Sequence, residues 1–359
     1  MKVKNIILFI LIISASIISA QQQTNISLDM HGGFIMVHRY NMRHLIQSHL
    51  WGVEMSVGKT FFNDALYNNL YNFPEKGVSI YFSNLGNPSQ LGNVFAVIPY
   101  MNIPVNQIRN LQTKVGVGMG YFHTTFNQTE NNLNNVVSSN ITVCINAQLQ
   151  KNWKLSETLE LYNKIGMTHF SNAAFKMPNL GINLVTTSLG LRFIGTPTPI
   201  FERKSKTDFE RNKNSYFEAG IASGIKEVGG PGGLKYAIVD ANLAYIYPLS
   251  FKSELLLWTD FFHDRSLEIR LAVDKWNRAT TADFIQSGIM SGYRLRYNKL
   301  SFMLAMGIYT YSRYKGLGSL YHRVGMRYQI TEKWSLNTTL KTHFAIADFA
   351  EWGIVYRIK

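Results

Sequence analysis

Cysteine is nearly missing: the 359 residues contain one, Cys144. That excludes an intramolecular disulfide framework and any Cys-rich zinc or iron–sulfur site. Charge is scarce as well, at 16% of residues against roughly 25% in soluble domains. After residue 20 no run of 18 apolar residues occurs, which excludes a bundle of membrane-spanning helices. What is abundant is aromatic: 22 Phe, 19 Tyr and 6 Trp. Many aromatics with few charges exclude a disordered chain. An exported soluble protein or a closed membrane barrel remains.

The first 20 residues read as a secretory signal peptide. Lys2 and Lys4 form a basic start, Ile6–Ile18 is apolar, and Ser19-Ala20 supplies small residues before Gln21. No cysteine follows the apolar stretch, so a lipoprotein anchor is not expected.

From residue 21 onward the dominant signal is period-two alternation. Leu111, Thr113, Val115, Val117, Met119 and Tyr121 oppose Gln112, Lys114, Gly116, Gly118, Gly120 and Phe122. The same pattern recurs over Tyr236–Tyr247, Trp334–Phe344 and Glu351–Ile358. Such alternation marks strands with one apolar and one polar face. The runs exceed the roughly 5–6 residues of soluble strands and suit the roughly 9–11 of a tilted membrane strand. Trp and Tyr near strand ends (Tyr247, Trp258, Trp334, Trp352) fit interfacial girdles. The expected fold is all-β: an antiparallel transmembrane β-barrel of about 12–16 strands, of the outer-membrane type, formed by residues 21–359 as one unit.

Connections alternate in length. Tight turns are expected at Asn152–Lys154, Pro248–Ser250, Tyr297–Lys299 and Thr331–Lys333. Longer polar loops are expected at Phe170–Ile182, Val228–Gly233, Asp264–Ala282 and Ser312–Gly318. Outer-membrane barrels place short turns on the periplasmic side and long loops outside. The segment Thr196–Asn214, rich in Lys, Arg and Glu, is an exception and falls on the periplasmic side.

One strand carries chemistry. In Thr158–Ser171 the odd positions share a face, so His169 and Ser171 lie about 6.6–6.8 Å apart on it. The face below them is apolar, which points it toward lipid. A serine needs a base to take its proton, and histidine is suited to that. The motif His169-Phe170-Ser171-Asn172-Ala173, followed by Pro178-Asn179-Leu180-Gly181-Ile182-Asn183, resembles the active-site signature of PagL-type lipid A 3-O-deacylases. The resemblance implies an outer-membrane esterase that removes a 3-hydroxyacyl chain from lipid A. It implies Ser171 as nucleophile, His169 as base and Asn179 in the oxyanion hole, with Asn172 as the asparagine after the serine. The family's glutamate, twelve residues after the serine, falls on Asn183. Either Asn183 orients His169 without supplying charge, or another acid such as Glu227 helps, or activity is low. The chain is also about twice the length of the family's eight-stranded members.

Other signals are weaker. Gly58-Lys59-Thr60 lacks the upstream glycine of a phosphate-binding loop, since position 53 is Val53. His31, His38, His44 and His49 show no metal-ligand spacing and are assigned structural or lumenal roles. The net charge of +14 fits attraction to anionic lipopolysaccharide better than to nucleic acid. No metal or organic cofactor is expected; the partners are lipopolysaccharide and outer-membrane lipid, and no oligomeric state is assigned. The alternatives are a channel or surface-interaction barrel, and an inactive lipopolysaccharide-binding relative.

Overall fold

The computed structural model of the protein describes residues 22–195, 213–273, 280–344 and 346–358, with Lys204 and Phe209 besides. The expected leader, and nearly all of the Thr196–Asn214 segment, lie outside the described residues. The first eight strands are β1 (Gln22–Ile35), β2 (Leu50–Phe61), β3 (Glu75–Asn84), β4 (Asn93–Pro104), β5 (Leu111–Phe122), β6 (Ile141–Lys154), β7 (Leu159–Ser171) and β8 (Ile182–Ile194). The next eight are β9 (Tyr216–Val228), β10 (Leu234–Pro248), β11 (Ser253–Asp264), β12 (Ile285–Tyr297), β13 (Leu300–Tyr311), β14 (Leu320–Gln329), β15 (Trp334–His343) and β16 (Ile346–Ile358).

The all-β antiparallel barrel architecture is as expected, and the sixteen strands are the upper end of the expected range. Their closure is not. The strands form two barrels of eight rather than one barrel over 21–359. β8 returns to β1, from Asn25↔Ile194 to Ile35↔Leu184, and β16 returns to β9, from Glu351↔Gly224 to Ile358↔Phe217. Each set of eight thus satisfies its own edge groups, which removes any reason for β8 to pair onward. The wide lumen of a 12–16-stranded barrel does not form. An eight-stranded barrel has an interior that side chains can fill.

Alternation does the filling. In the first barrel Glu54 is paired with Lys114 and Lys164, and Lys164 also meets Asp29 at 2.8 Å. In the second, Lys226 bridges Asp264 and Asp348 at 2.7 and 2.8 Å, and Arg323 holds Glu351 at 2.7 Å. Buried charges of this kind persist only when paired. The outward positions are apolar and exposed, as at Ile26, Leu28 and Met30 on β1, and Leu255, Leu257 and Phe261 on β11.

The tight turns gather at one end. The first follows Lys154 at Leu155–Thr158, a few residues later than the sequence pattern places it, and is closed by Leu155 and Ser156 N–H donating to Leu159 O. The turns at Leu249–Lys252 and Ile330–Lys333 repeat that pattern. The long connections 172–181 and 229–233 lie at the other end, whereas 62–74, which is also long and carries a short helix at Leu66–Leu70, lies with the tight turns. The barrels touch at both ends. At the tight-turn end Tyr297 Oη donates to Asn68 Oδ1 at 2.6 Å, and Tyr71 Oη to Arg296 O at 2.8 Å. At the long-loop end Glu227 N donates to Ala174 O at 3.0 Å.

Candidate active site

The site is set by what points away from it. At the top of β7, Phe170 faces into the first barrel, fully buried, edge-on to Phe122 with ring centroids 5.4 Å apart. Gly120 leaves it room: a Cβ there would come within 2.6 Å of the Phe170 ring. On β8, Ile182 and Leu184 are buried in the same apolar cluster. Because side chains alternate along a strand, these inward anchors force His169, Ser171 and Asn183 outward. The register pairs Phe170 with Ile182 and therefore His169 with Asn183. Direct cross-strand partners have Cβ atoms about 4.5–5.5 Å apart, within reach of a side-chain hydrogen bond.

That bond is present. His169 Nδ1 lies 2.6 Å from Asn183 Oδ1. An amide oxygen accepts, so the imidazole proton sits on Nδ1 and the Nε2 lone pair is free. The other end of the amide is also engaged, with Asn183 Nδ2 donating to His38 Nδ1 at 3.2 Å. His38 Nε2 then carries its ring proton and donates to Leu180 O at 3.0 Å. A chain of three bonds thereby fixes the Asn183 amide and both imidazole tautomers.

Ser171 ends β7. Its Oγ accepts from Asn179 Nδ2 at 2.9 Å and from the Ala173 backbone N–H at 3.1 Å. The Asn179 amide is oriented in turn, because its Oδ1 accepts the Asn172 N–H at 3.2 Å. Asn172 itself is buried, with Nδ2 donating to Ser139 Oγ at 2.8 Å and to Lys176 O at 2.9 Å. Two donors converge on the one hydroxyl oxygen. No hydrogen bond joins Ser171 to His169 among the described residues. Such bonds often tighten only when substrate is bound.

All five residues singled out from the sequence (His169, Ser171, Asn172, Asn179 and Asn183) meet in this cluster. Glu227 does not join them as an acid: its Oε1 accepts from Gly232 N and Gly233 N at 2.7 and 3.2 Å, within its own hairpin. Two residues were missed. His38, given a structural or lumenal role from its spacing, lies in the cluster instead. Gly181 has φ +73° and fits between the two key side chains; a Cβ there would be 2.9 Å from His169 Cε1 and 3.5 Å from Ser171 Cβ. The cluster holds no carboxylate in contact with His169, and no grouping of His, Cys, Asp or Glu suited to a metal occurs among the described residues.

The second barrel has a partial echo of the motif. Thr342-His343-Phe344-Ala345 parallels Thr168-His169-Phe170-Ser171, with alanine in the serine's place. A register shift between Lys341 and Thr342 accompanies it. His343 is buried and accepts from or donates to Tyr309 Oη at 2.9 Å, so it lies inside and not on the wall.

No curated protein matches the chain. Among solved structures, two engineered variants of Rhodopseudomonas blastica porin are 8% and 9% identical over 94% of this chain and 100% of theirs, each with a TM-score of 0.20. A TM-score that low carries no weight for the fold, which rests on the strand pairing above. Residues 39–192 match the family model described as lipid A 3-O-deacylase (PagL). Residues 215–359 match the one described as acyloxyacyl hydrolase, C-terminal domain. The first match takes in β2–β8 of the first barrel and the second takes in β9–β16, and the chain belongs to the PagL family.

Proposed function

We propose that the protein is an outer-membrane esterase, exported through its leader, that removes an ester-linked 3-hydroxyacyl chain from lipid A. The observation that carries this reading is the β7–β8 register. It gathers His169, Asn183, Ser171 and Asn179 on the outward face, at the long-loop end of a barrel from this family. Beside them the outward side chains Val143, Ile145, Ile165 and Met167 are exposed and apolar. Ile145 and Val143 stand opposite His169 and Ser171 on β6. An acyl chain held by the bilayer would lie along that wall, with its ester at the rim.

In this mechanism Ser171 Oγ bonds to the ester carbonyl carbon while His169 Nε2 takes the hydroxyl proton. Charge that develops on the carbonyl oxygen is met by Asn179 Nδ2 and the Ala173 N–H. One such donor is worth about 2.7–4 kcal/mol. His169 then gives its proton to the departing sugar oxygen as the ester C–O bond breaks. Water attacks the acyl-serine, loses a proton to His169, and releases a free 3-hydroxy acid as Ser171 regains its hydrogen. Asn183 holds His169 in the tautomer this cycle needs but supplies no negative charge to the imidazolium. In a serine protease, loss of that charge and tautomer control together costs roughly 10⁴ in turnover. Here His38 preserves the tautomer control.

Expression in a Gram-negative host, followed by mass spectrometry of lipid A, tests the reading. The wild type should remove one 3-hydroxyacyl mass and Ser171→Ala should not. An unchanged spectrum from a correctly inserted wild type would overturn the esterase reading and leave a lipopolysaccharide-binding relative.

A further inference from the structure

The loop that supplies the Ala173 N–H is held from the other barrel. Ala173 and Ala174 both have positive φ, 53° and 64°, a conformation that side-chain-bearing residues rarely adopt. Such a segment persists only when its surroundings over-determine it. From its own barrel the loop has the Asn172 side-chain bonds and Phe175 N–H donating to Asn172 O at 3.1 Å. Ser138 Oγ, also of that barrel, donates to Lys176 O at 2.8 Å. Further contacts, to Ala174 and Phe175, come from the β9–β10 hairpin. Glu227 N–H donates to Ala174 O at 3.0 Å, and Lys235 Nζ sits 3.8 Å from the centroid of the Phe175 ring.

These two contacts are one device. Glu227 and Lys235 are direct cross-strand partners, and they grip two consecutive loop residues. The edge they use lies past the end of a ladder: the pairing of β9 with β16 stops at Gly224↔Glu351, although β9 continues to Val228 and β16 reaches back to Ile346. Unpaired edge N–H groups invite a further segment of chain. The Glu227 carboxylate closes the hairpin tip on Gly232 and Gly233 N–H and so keeps the strand end in place.

We propose that the second barrel is a positioning element for the site on the first, with Glu227 and Lys235 clamping Ala174 and Phe175 so that the Ala173 N–H stays aimed at the reacting centre. Its catalytic consequence rests on the esterase reading above; the clamp itself does not. It gives the second barrel, whose sequence has Thr342-His343-Phe344-Ala345 in place of the Thr-His-Phe-Ser run, a part in the reaction of the first.

The test uses the full chain in lipid nanodiscs, with Lys235→Leu, Lys235→Arg and Glu227→Pro. Proline removes the N–H that faces the loop and is tolerated where a strand N–H lies outside the ladder. Hydrogen exchange of the 172–176 amides should quicken at least tenfold in Lys235→Leu and Glu227→Pro and stay near wild type in Lys235→Arg. With lipid A as substrate, kcat should fall about tenfold or more in the first two, since small misplacements of a reacting geometry are expensive. KM should hold. Unchanged exchange in both disrupting variants would overturn the clamp. So would a rise in KM at constant kcat, which would make Lys235 a substrate contact. A wild type that cleaves no lipid A would sink the esterase reading, and the exchange data would still decide the clamp.

Discussion

His38 and Asn183 stand 145 residues apart in the chain and are hydrogen-bonded, Nδ2 to Nδ1, at 3.2 Å. The bond matters because an amide, unlike a carboxylate, has a wrong way round. Flipped, Asn183 would present hydrogens to His169 Nδ1 and move the imidazole proton to Nε2, where it blocks proton uptake. A net hydrogen bond is worth about 1 kcal/mol. His38→Phe should therefore lower kcat by about fivefold to tenfold and leave KM in place. Combined with Asn183→Glu, the same change should have little effect, because a carboxylate accepts from either oxygen. Steady-state kinetics of the four proteins as a double-mutant cycle checks this. Equal losses in both backgrounds would contradict it.

Asn183→Glu alone should raise kcat. It restores a negative charge beside the imidazolium that forms in the transition state. The roughly 10⁴ separating Asp from Asn in a serine protease is the upper bound, because tautomer control is already in place here. About tenfold or more is expected. Turnover of purified lipid A by the two proteins measures it, and no gain would contradict the assigned role of Asn183.

Asn179→Ala removes one of the two donors at Ser171 Oγ. A fall in kcat of about 10²–10³ is expected, with KM little changed, as for a single oxyanion-hole donor elsewhere. Asn172→Ala should also lower kcat, because its side chain holds the loop whose backbone N–H orients Asn179. A variant that raises KM without touching kcat would show ground-state binding instead.

Gly181→Ala puts a methyl group 2.9 Å from His169 Cε1 at a residue with φ +73°. The left-handed conformation costs an alanine roughly 1–2 kcal/mol. Relief must come from the loop or from the imidazole, so kcat should fall by about 10² while the barrel stays folded on semi-native gels. Full activity in this variant would mean that the gap between His169 and Ser171 is not needed.

Much of the site could be foreseen because it is local in sequence. His169 and Ser171 share a strand face by period two, and Asn179 and Asn183 follow within one loop and one strand start. The long strands, whose number is the top of the expected 12–16, and most of the alternation of short and long connections were legible for the same reason; the 62–74 connection at the tight-turn end breaks that alternation. Closure was not. A strand's inside–outside pattern is the same whichever strand it meets, and the number of strands in a barrel is set by register and tilt. With one large barrel assumed, β1 belongs beside β16. The structure puts β1 beside β8, where Met36 N–H donates to Asn183 O at 2.9 Å, and that neighbour relation brings His38 to Asn183. The fate of Glu227 was hidden likewise. Its place near the loop follows from the contact between two barrels, but its carboxylate is taken by the Gly232 and Gly233 amides of its own hairpin.

The most direct measurement is release of free 3-hydroxy fatty acid from lipid A by purified, refolded protein, wild type against Ser171→Ala, quantified by mass spectrometry. The wild type should release one 3-hydroxy acid per lipid A, and the variant should be slower by at least about 10³, since removing a serine nucleophile costs as much as removing its whole triad. Equal release by both proteins, or none by a folded wild type, would contradict the assignment of Ser171 as the attacking group.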